Sequence, residues 1–380
     1  MDTEQKLNIL ADSSKFDLAC ACKTSREPGR VRGGQGRWIY PAALPSGRKV
    51  FLLKTLQSNI CVNDCRYCPF NNKRDLPRMS LGPDELAQIF IQMVQAKRVT
   101  GLFLSSGVER GPDQTMARMI DTVEILRNRY KFHGFIHLKI IPGASRAAVE
   151  RAVGLAQRVS VNIEAPNAHR LCSLSSRKRF HEDIISTMRA INYCRKNINR
   201  KCHQTTQFVV GAAGETDREI VQSTSALYRK MEMERVYFSA YQDLDLEPKT
   251  TQPMLFDDIP ARSGRVKTDV FMREHRLYQV DFLLRKYQFP VHEIDYDSKG
   301  NLSLERDPKQ VWADKHPDFF PLDVHRADSW QLLRVPGIGP VGASRIIKAR
   351  RQGRIRDVDD LRAVGVRRAK LAEPYLTLKS

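Results

Sequence analysis

The sequence predicts an α/β protein built on a parallel sheet, followed by a smaller helical module. Three observations predict it. Six short apolar runs alternate with longer helix-like stretches between residues 51 and 241, the alternation fades after about Pro290, and the end of the chain holds two glycine turns set between helical patterns.

The strand candidates are residues 51–54, 101–105, 135–141, 159–163, 207–210 and 236–240, rich in Val, Ile, Leu and Phe. Helical patterns cover 84–97, 115–130, 146–156, 178–196 and 217–231. Strands that alternate with helices pair in parallel, and ligands then bind beyond the carboxyl ends of the strands, where the βα loops gather. Periodicity alone does not separate a closed barrel from an open fan. Before the sheet, residues 1–49 form an extension with a short helical candidate at 4–10 and a Gly, Pro and Arg-rich run at 26–37, read as a loop whose arginines can touch phosphate. A core of 50–300 follows, 292–302 reads as a turn-bearing connector, and 301–380 is a C-terminal region; no repeat of fixed period is evident.

The 380 residues carry 41% hydrophobic and 28% charged side chains, ordinary for a globular protein and inconsistent with disorder as the main theme. Lys and Arg outnumber Asp and Glu by 63 to 43, a formal charge of +20 that puts polyanions, nucleic acid above all, first among expected partners. No stretch approaches the roughly 20 apolar residues of a bilayer span, and the start lacks the pattern of a secretory leader, so no membrane association and a cytoplasmic location are expected. In a reducing compartment the eight cysteines read as metal ligands or buried thiols.

Directly after the first strand candidate comes CysValAsnAspCysArgTyrCysPro, 61–69, which sets Cys61, Cys65 and Cys68 in one loop with Cys-x3-Cys-x2-Cys spacing. Thiolates are soft ligands suited to iron–sulfur clusters or zinc, and three of them can each take one iron of a cubane, leaving the fourth iron open. An open iron can chelate the amino and carboxylate groups of a methionine moiety and bring its sulfonium beside a reducible cluster. A structural zinc site wants four protein ligands with Cys-x2-Cys pairs, and no such partner lies nearby.

With aromatic Tyr67 immediately before the last cysteine, this motif resembles the signature of the radical S-adenosylmethionine (SAM) superfamily, over roughly residues 50–241. The resemblance implies a partial (β/α)6 barrel, a [4Fe-4S] cluster on Cys61, Cys65 and Cys68, SAM as the second cofactor, and Tyr67 near the adenine. LeuPheLeuSerSerGlyValGlu, 102–109, is similar to the family's Gly-Gly-Glu element, with Ser105 and Ser106 replacing glycines before Gly107; its backbone is expected to meet the amino group of SAM. ValAsnIleGluAlaPro, 161–166, ends the fourth strand candidate with Asn162 and Glu164 spaced toward one face, where a carboxylate can bind an ammonium or a ribose hydroxyl. Residues 207–216 resemble the family's Gly-x-Ile-x-Gly-x-x-Glu element, which packs a strand against adenine, with Val209, Gly211, Gly214 and Glu215 in place.

Of the remaining cysteines, Cys20 and Cys22 have the arrangement of potential auxiliary-cluster ligands, but with Cys172, Cys194 and Cys202 they match no ferredoxin spacing and read as buried or incidental thiols. His133, His137 and His169 fall near strand ends as candidate substrate contacts.

Residues 332–351 contain a Pro-Gly-Ile-Gly turn between helical patterns and resemble the helix-hairpin-helix motif. Gly337 and Gly339 permit a tight turn that brings N–H groups at the start of the second helix to a phosphate, with Arg345, Lys348, Arg350 and Arg351 following outward. Residues 357–370 look like a second, degenerate hairpin on Gly365, so that a nucleic-acid-binding module is expected over about 328–380. Taken together, the cysteine-bearing amino-terminal segment, the Ser-Ser-Gly core and this module resemble, nearly end to end and including HisProAspPhePheProLeuAsp at 316–323, a bacterial family of radical SAM proteins described as acting in DNA modification or repair. The resemblance implies a radical SAM enzyme acting on duplex DNA, with an electron donor such as flavodoxin or ferredoxin. Two alternatives are a radical SAM enzyme modifying tRNA or rRNA, and an iron–sulfur nucleic-acid sensor without turnover.

Overall fold

The structure, a computed structural model, describes residues 5–7, 9–10, 39–43, 49–241, 265–353 and 355–378. Cys20, Cys22 and the arginine-bearing run at 26–37 lie outside them. The described residues divide into two compact units, one within Met1–Glu215 and Ala226–Val270, the other within Thr216–Ser225 and Phe271–Ser380.

In the first unit, among the described residues, β1 (Ile39–Ala43), β2 (Lys49–Leu56), β3 (Gly101–Ser105), β4 (Phe135–Lys139), β5 (Arg158–Ser160), β6 (His203–Val210) and β7 (Arg235–Ala240) form one sheet in sequence order. β1 pairs antiparallel with β2, and β2 to β7 are all parallel. These six curl into a half-barrel in which, among the described residues, β2 and β7 do not pair with each other, which resolves the choice that periodicity left open. All six strand candidates are strands; β1 was not among them.

The connections are α1 (Pro83–Gln95), α2 (Pro112–Glu124), α3 (Arg146–Leu155), α4 (Ala168–Leu174), α5 (Ser186–Asn197) and α6 (Asp217–Met231). α2 runs on into a π turn at Ile125–Arg129, and α5 is preceded by one at Phe180–Ile185. Along β2 to β6 one face carries Leu53, Leu102, Leu104, Ile136, Leu138, Val159 and Phe208, all fully buried. The other face is polar. There the Lys54 ammonium lies 5.0 Å from the Phe103 ring centroid, Phe103 packs edge-on to His137 at 4.4 Å, and His137 Nε2 meets Ser160 Oγ at 2.9 Å.

β5 stops at Ser160, three residues before the expected end of that strand. The Thr206 hydroxyl explains it, because it donates to Val161 O at 2.8 Å and accepts from Ile163 N at 2.9 Å, taking the place of the backbone ladder. Asn162 and Glu164 therefore lie beyond the strand rather than on it. Glu164 has φ +65, a left-handed backbone rare for a residue with a side chain, and it bridges β6 through its N–H to Gln207 O and its carbonyl to Val209 N.

The second unit includes α7 (Arg265–Lys286) from Phe271 on, a helix absent from the sequence reading, together with α8 (Pro308–Lys315). Then come α9 (Ser329–Arg334), α10 (Pro340–Ala349), α11 (Val358–Ala363) and α12 (Ala369–Ala372), packed on a core that includes Leu332, Val335, Ile338, Ile346, Leu361 and Val366. Gly337, between α9 and α10, has φ +87, and a Cβ there would come within 2.7 Å of Arg368 O. Gly365, after α11, has φ +91 and lies against the Arg345 guanidinium. Gly339 needs no special backbone, with φ −107, but a Cβ would stand 3.1 Å from the Tyr287 hydroxyl. Arg334 is fully buried, bonded to Glu293 at 2.9 Å, with its guanidinium over the rings of Phe289, Trp330 and Trp312 at 3.7, 4.6 and 5.3 Å.

Candidate active site

The loop after β2 carries the three cysteines, and its shape comes from hydrogen bonds to its own backbone. Arg78 spreads its guanidinium over four carbonyls: Nη1 donates to Asn59 O at 2.8 Å and Phe70 O at 3.0 Å, and Nη2 to Asn71 O and Arg74 O at 2.9 Å each. Asn59 pins the far end, donating to Pro77 O and accepting from Met79 N. Asn71 donates to Asp64 O at 2.9 Å and Cys65 O at 3.2 Å, closing the turn that also carries Cys68 N to Cys65 O.

Neighbouring segments hold the loop from outside. Val62 N donates to Val108 O at 2.8 Å, and Gly107 N to Ser58 O at 2.7 Å. A Cβ on Gly107 would run into the Ile60 carbonyl, so this close approach of two backbones requires glycine. Ser105 ends β3 and is buried, while Ser106 turns its hydroxyl onto Gly107 O at 2.8 Å. On the other side Asp64 accepts the Ser175 hydroxyl at 2.6 Å, the Ser176 hydroxyl at 2.5 Å and Ser176 N at 3.2 Å. Against the cost of burial, these hydroxyls hold the Asp64 carboxyl well below the usual carboxylate range.

Burial, then the neighbouring Cys65 thiolate, pushes the Cys68 thiol up to about 12, and Cys61 adds to it. Among the described residues no group of three His, Cys, Asp or Glu side chains is set to hold a single metal ion; three thiolates on separate corners of a cubane need no such convergence. The soft donor set and a neighbouring cation fit a cluster held by Cys61, Cys65 and Cys68.

That cation is Lys178. Its Nζ donates to Glu164 Oε1 and to the Tyr67 hydroxyl, both at 3.0 Å, and lies 5.7 Å from the Tyr67 ring centroid. Burial opposes its charge, yet the Cys65 thiolate and then Glu164 outweigh burial and raise the ammonium above the ordinary lysine range. Burial, then Cys65 and Glu164, likewise pushes the Tyr67 phenol up. Asn162 Nδ2 reaches Glu164 Oε2 at 3.4 Å. Beyond β6 the Glu215 carboxylate gathers Gly211 N at 2.5 Å and Ala213 N at 3.0 Å, with Gly211 at φ +90 and Gly214 at φ +63, while Val209 is half-buried on β6.

Other candidates are not brought to this place. His133 is exposed before the amino end of β4, and His169 is exposed on α4. Cys172 is exposed, whereas Cys194 and Cys202 are buried, and burial pushes the Cys202 thiol up to about 12. In the second unit Arg345 and Lys348 are exposed on α10. Arg350 does not follow them outward, because its guanidinium donates to Val324 O at 3.1 Å and Ala327 O at 2.6 Å. Asn59, Asp64, Asn71, Arg78 and Lys178 were missed by the sequence reading. Lys178 sits in the basic run Arg177-Lys178-Arg179, which reads as a solvated helix start.

The family model of the radical SAM superfamily matches residues 56–227. The fold is similar to HydG, a maturase of the [FeFe]-hydrogenase (12% identity, 60% of this chain and 49% of that one, TM-score 0.43). It is also similar to methylornithine synthase, PylB (14%, 51% and 54%, TM-score 0.42), and to anSMEcpe with bound AdoMet (15%, 61% and 61%, TM-score 0.41). The matched part of this chain spans about half the length of the first two. No curated protein matches the sequence. No helix among the described residues is long and apolar enough to cross a membrane. Over residues 56–227 the chain thus matches the model of the radical SAM superfamily, whose members use a [4Fe-4S] cluster and S-adenosylmethionine.

Proposed function

We propose that this chain is a radical SAM enzyme acting on DNA, in modification or repair. The observation that carries the radical half is the loop after β2, where three thiols gather beside a buried lysine at the carboxyl end of a parallel strand. In this reading Cys61, Cys65 and Cys68 hold the cluster. Tyr67, the backbone of Ser105, Ser106 and Gly107, the side chains of Asn162 and Glu164, and Val209 and Gly211 line the SAM site. A [4Fe-4S] cluster held there would relay one electron from an external donor for reductive cleavage of S-adenosylmethionine, the chemistry that would start hydrogen abstraction from the substrate. The polar face of the half-barrel, with Lys54, His137 and Ser160, is where the substrate meets this chemistry.

The choice of DNA rests on charge and on the second unit. A formal charge of +20 favours a polyanion. The tight turn on Gly337 leads into α10, whose amino terminus faces outward with N–H groups suited to a phosphate, and Arg345 and Lys348 lie exposed along it. Such contacts position a duplex without reading its sequence. A base stacked in a duplex cannot enter a barrel, so the reacting nucleotide is flipped or unpaired.

The test is anaerobic reconstitution followed by incubation with SAM and dithionite, with 5′-deoxyadenosine measured alone, with duplex DNA and with structured RNA. Stimulation by DNA is expected. Stimulation by RNA alone would move the substrate to tRNA or rRNA, and no 5′-deoxyadenosine from a loaded cluster would leave a nucleic-acid sensor. Replacing Gly337 and Gly339 with valine should weaken salt-dependent binding to duplex of any sequence while the cluster spectrum persists; unchanged binding would remove the turn from the interface.

A further inference from the structure

The radical SAM reading accounts for the thiols and not for the lysine beside them. Lys178 is almost completely enclosed, with 12% of its side chain exposed, and its carboxylate partner Glu164 retains 6%. Burying an ammonium is costly unless its charge is used. Two holders fix its position, Glu164 Oε1 and the Tyr67 hydroxyl, each at 3.0 Å. Glu164 reaches it from a left-handed backbone, φ +65, a strained conformation that a glycine or asparagine would take more readily. Tyr67 stands between Cys65 and Cys68 in the loop, so the two holders fix the ammonium beside the segment that carries the thiols.

We infer that Lys178 is an electrostatic positioning residue that sets the reduction potential of the cluster held by Cys61, Cys65 and Cys68. The inference rests on the proposed assignment of those ligands. A cubane on three thiolates becomes more negative by one charge when it accepts an electron. A fixed cation in a low-dielectric surround favours that reduced form, and an anion disfavours it. Lys178 and Glu164 thus act in opposite directions on the same couple.

The experiment is an EPR-monitored redox titration of the reconstituted full chain without SAM, on wild type, Lys178→Met, Lys178→Arg and Glu164→Gln, with iron and sulfide counted in each. Lys178→Met should lower the equilibrium constant for reduction at least tenfold, a fall of about 59 mV for a one-electron couple. Lys178→Arg should stay within about threefold of wild type, and Glu164→Gln should shift the constant upward. If Lys178→Met fails to hold a cluster, the arginine and glutamine variants carry the test by themselves. A loaded Lys178→Met with the wild-type potential, equal shifts in the methionine and arginine variants, or a downward shift in Glu164→Gln would overturn the inference, since a packing role ignores the sign of the charge. Wild-type protein that takes up no iron and sulfide would instead sink the ligand assignment.

Discussion

Arg78 offers the sharpest test of how the cysteine loop is built. Its four hydrogen bonds to the carbonyls of Asn59, Phe70, Asn71 and Arg74 tie together backbone on both sides of the thiols. Hydrogen bonds from a charged donor contribute roughly 1.5–3 kcal/mol each, and at a half-exposed site about 1 kcal/mol is a fair value. Arg78→Met therefore removes about 4 kcal/mol from loop closure, near a thousandfold at about 1.4 kcal/mol per factor of ten. Arg78→Lys keeps the charge but not the planar fork, retains one or two of the bonds, and should lose about 2–3 kcal/mol. The assay is iron and sulfide per chain after anaerobic reconstitution, followed by the rate of iron release to a chelator, with far-UV circular dichroism to check the barrel. Native dichroism with iron release at least tenfold faster in the methionine variant, and an intermediate rate in lysine, is expected. A methionine variant that loads fully and resists the chelator as wild type does would refute the reasoning.

Gly107→Ala should cost about 1–3 kcal/mol by forcing apart two backbones, and because Ile60 precedes Cys61 it should lower iron content as well; a urea midpoint and iron content equal to wild type would contradict this. Lys309, whose Nζ donates to Ile338 O at 2.5 Å, is pushed by burial down to about 7. The unfolded chain then binds more protons than the folded one between about pH 7 and the ordinary lysine value, so stability rises with pH across that window and is lost as pH falls toward 7. The thermal midpoint of wild type should climb from pH 7 to pH 9 relative to that of Lys309→Met, and parallel profiles would count against a buried, proton-poor Lys309.

The six parallel strands were legible because each is an apolar run flanked by helical periodicity, and the thiols because their spacing is local. What failed was set by contacts distant in sequence. The Thr206 hydroxyl ends β5 early, and no pattern within 159–163 carries that information. The π turns at Ile125–Arg129 and Phe180–Ile185 lie in stretches that read as continuous helices, since each is one turn long and carries no breaker of its own. α7 escaped because charged residues occur all around it, leaving no clear apolar stripe. Arg78 and Lys178 were invisible for a related reason: an arginine that binds carbonyls up to 19 residues away, and a lysine that reaches a tyrosine 111 residues away, look like surface cations in one dimension. Arg350 erred in the same way, reading as a free cation when its guanidinium is tied to two carbonyls.

The aromatic cage around Arg334 also has a spectroscopic use. Of the three tryptophans in the chain, Trp312 and Trp330 both lie against that one guanidinium, and none falls in residues 49–241. The third, Trp38, falls in the residue span of the first unit, so in a Trp38→Phe chain indole emission will follow melting of the carboxyl-terminal unit, whereas the visible absorbance of bound iron and sulfide will follow the half-barrel. One heated cuvette, read at two wavelengths, can tell whether the two units come apart together or in turn.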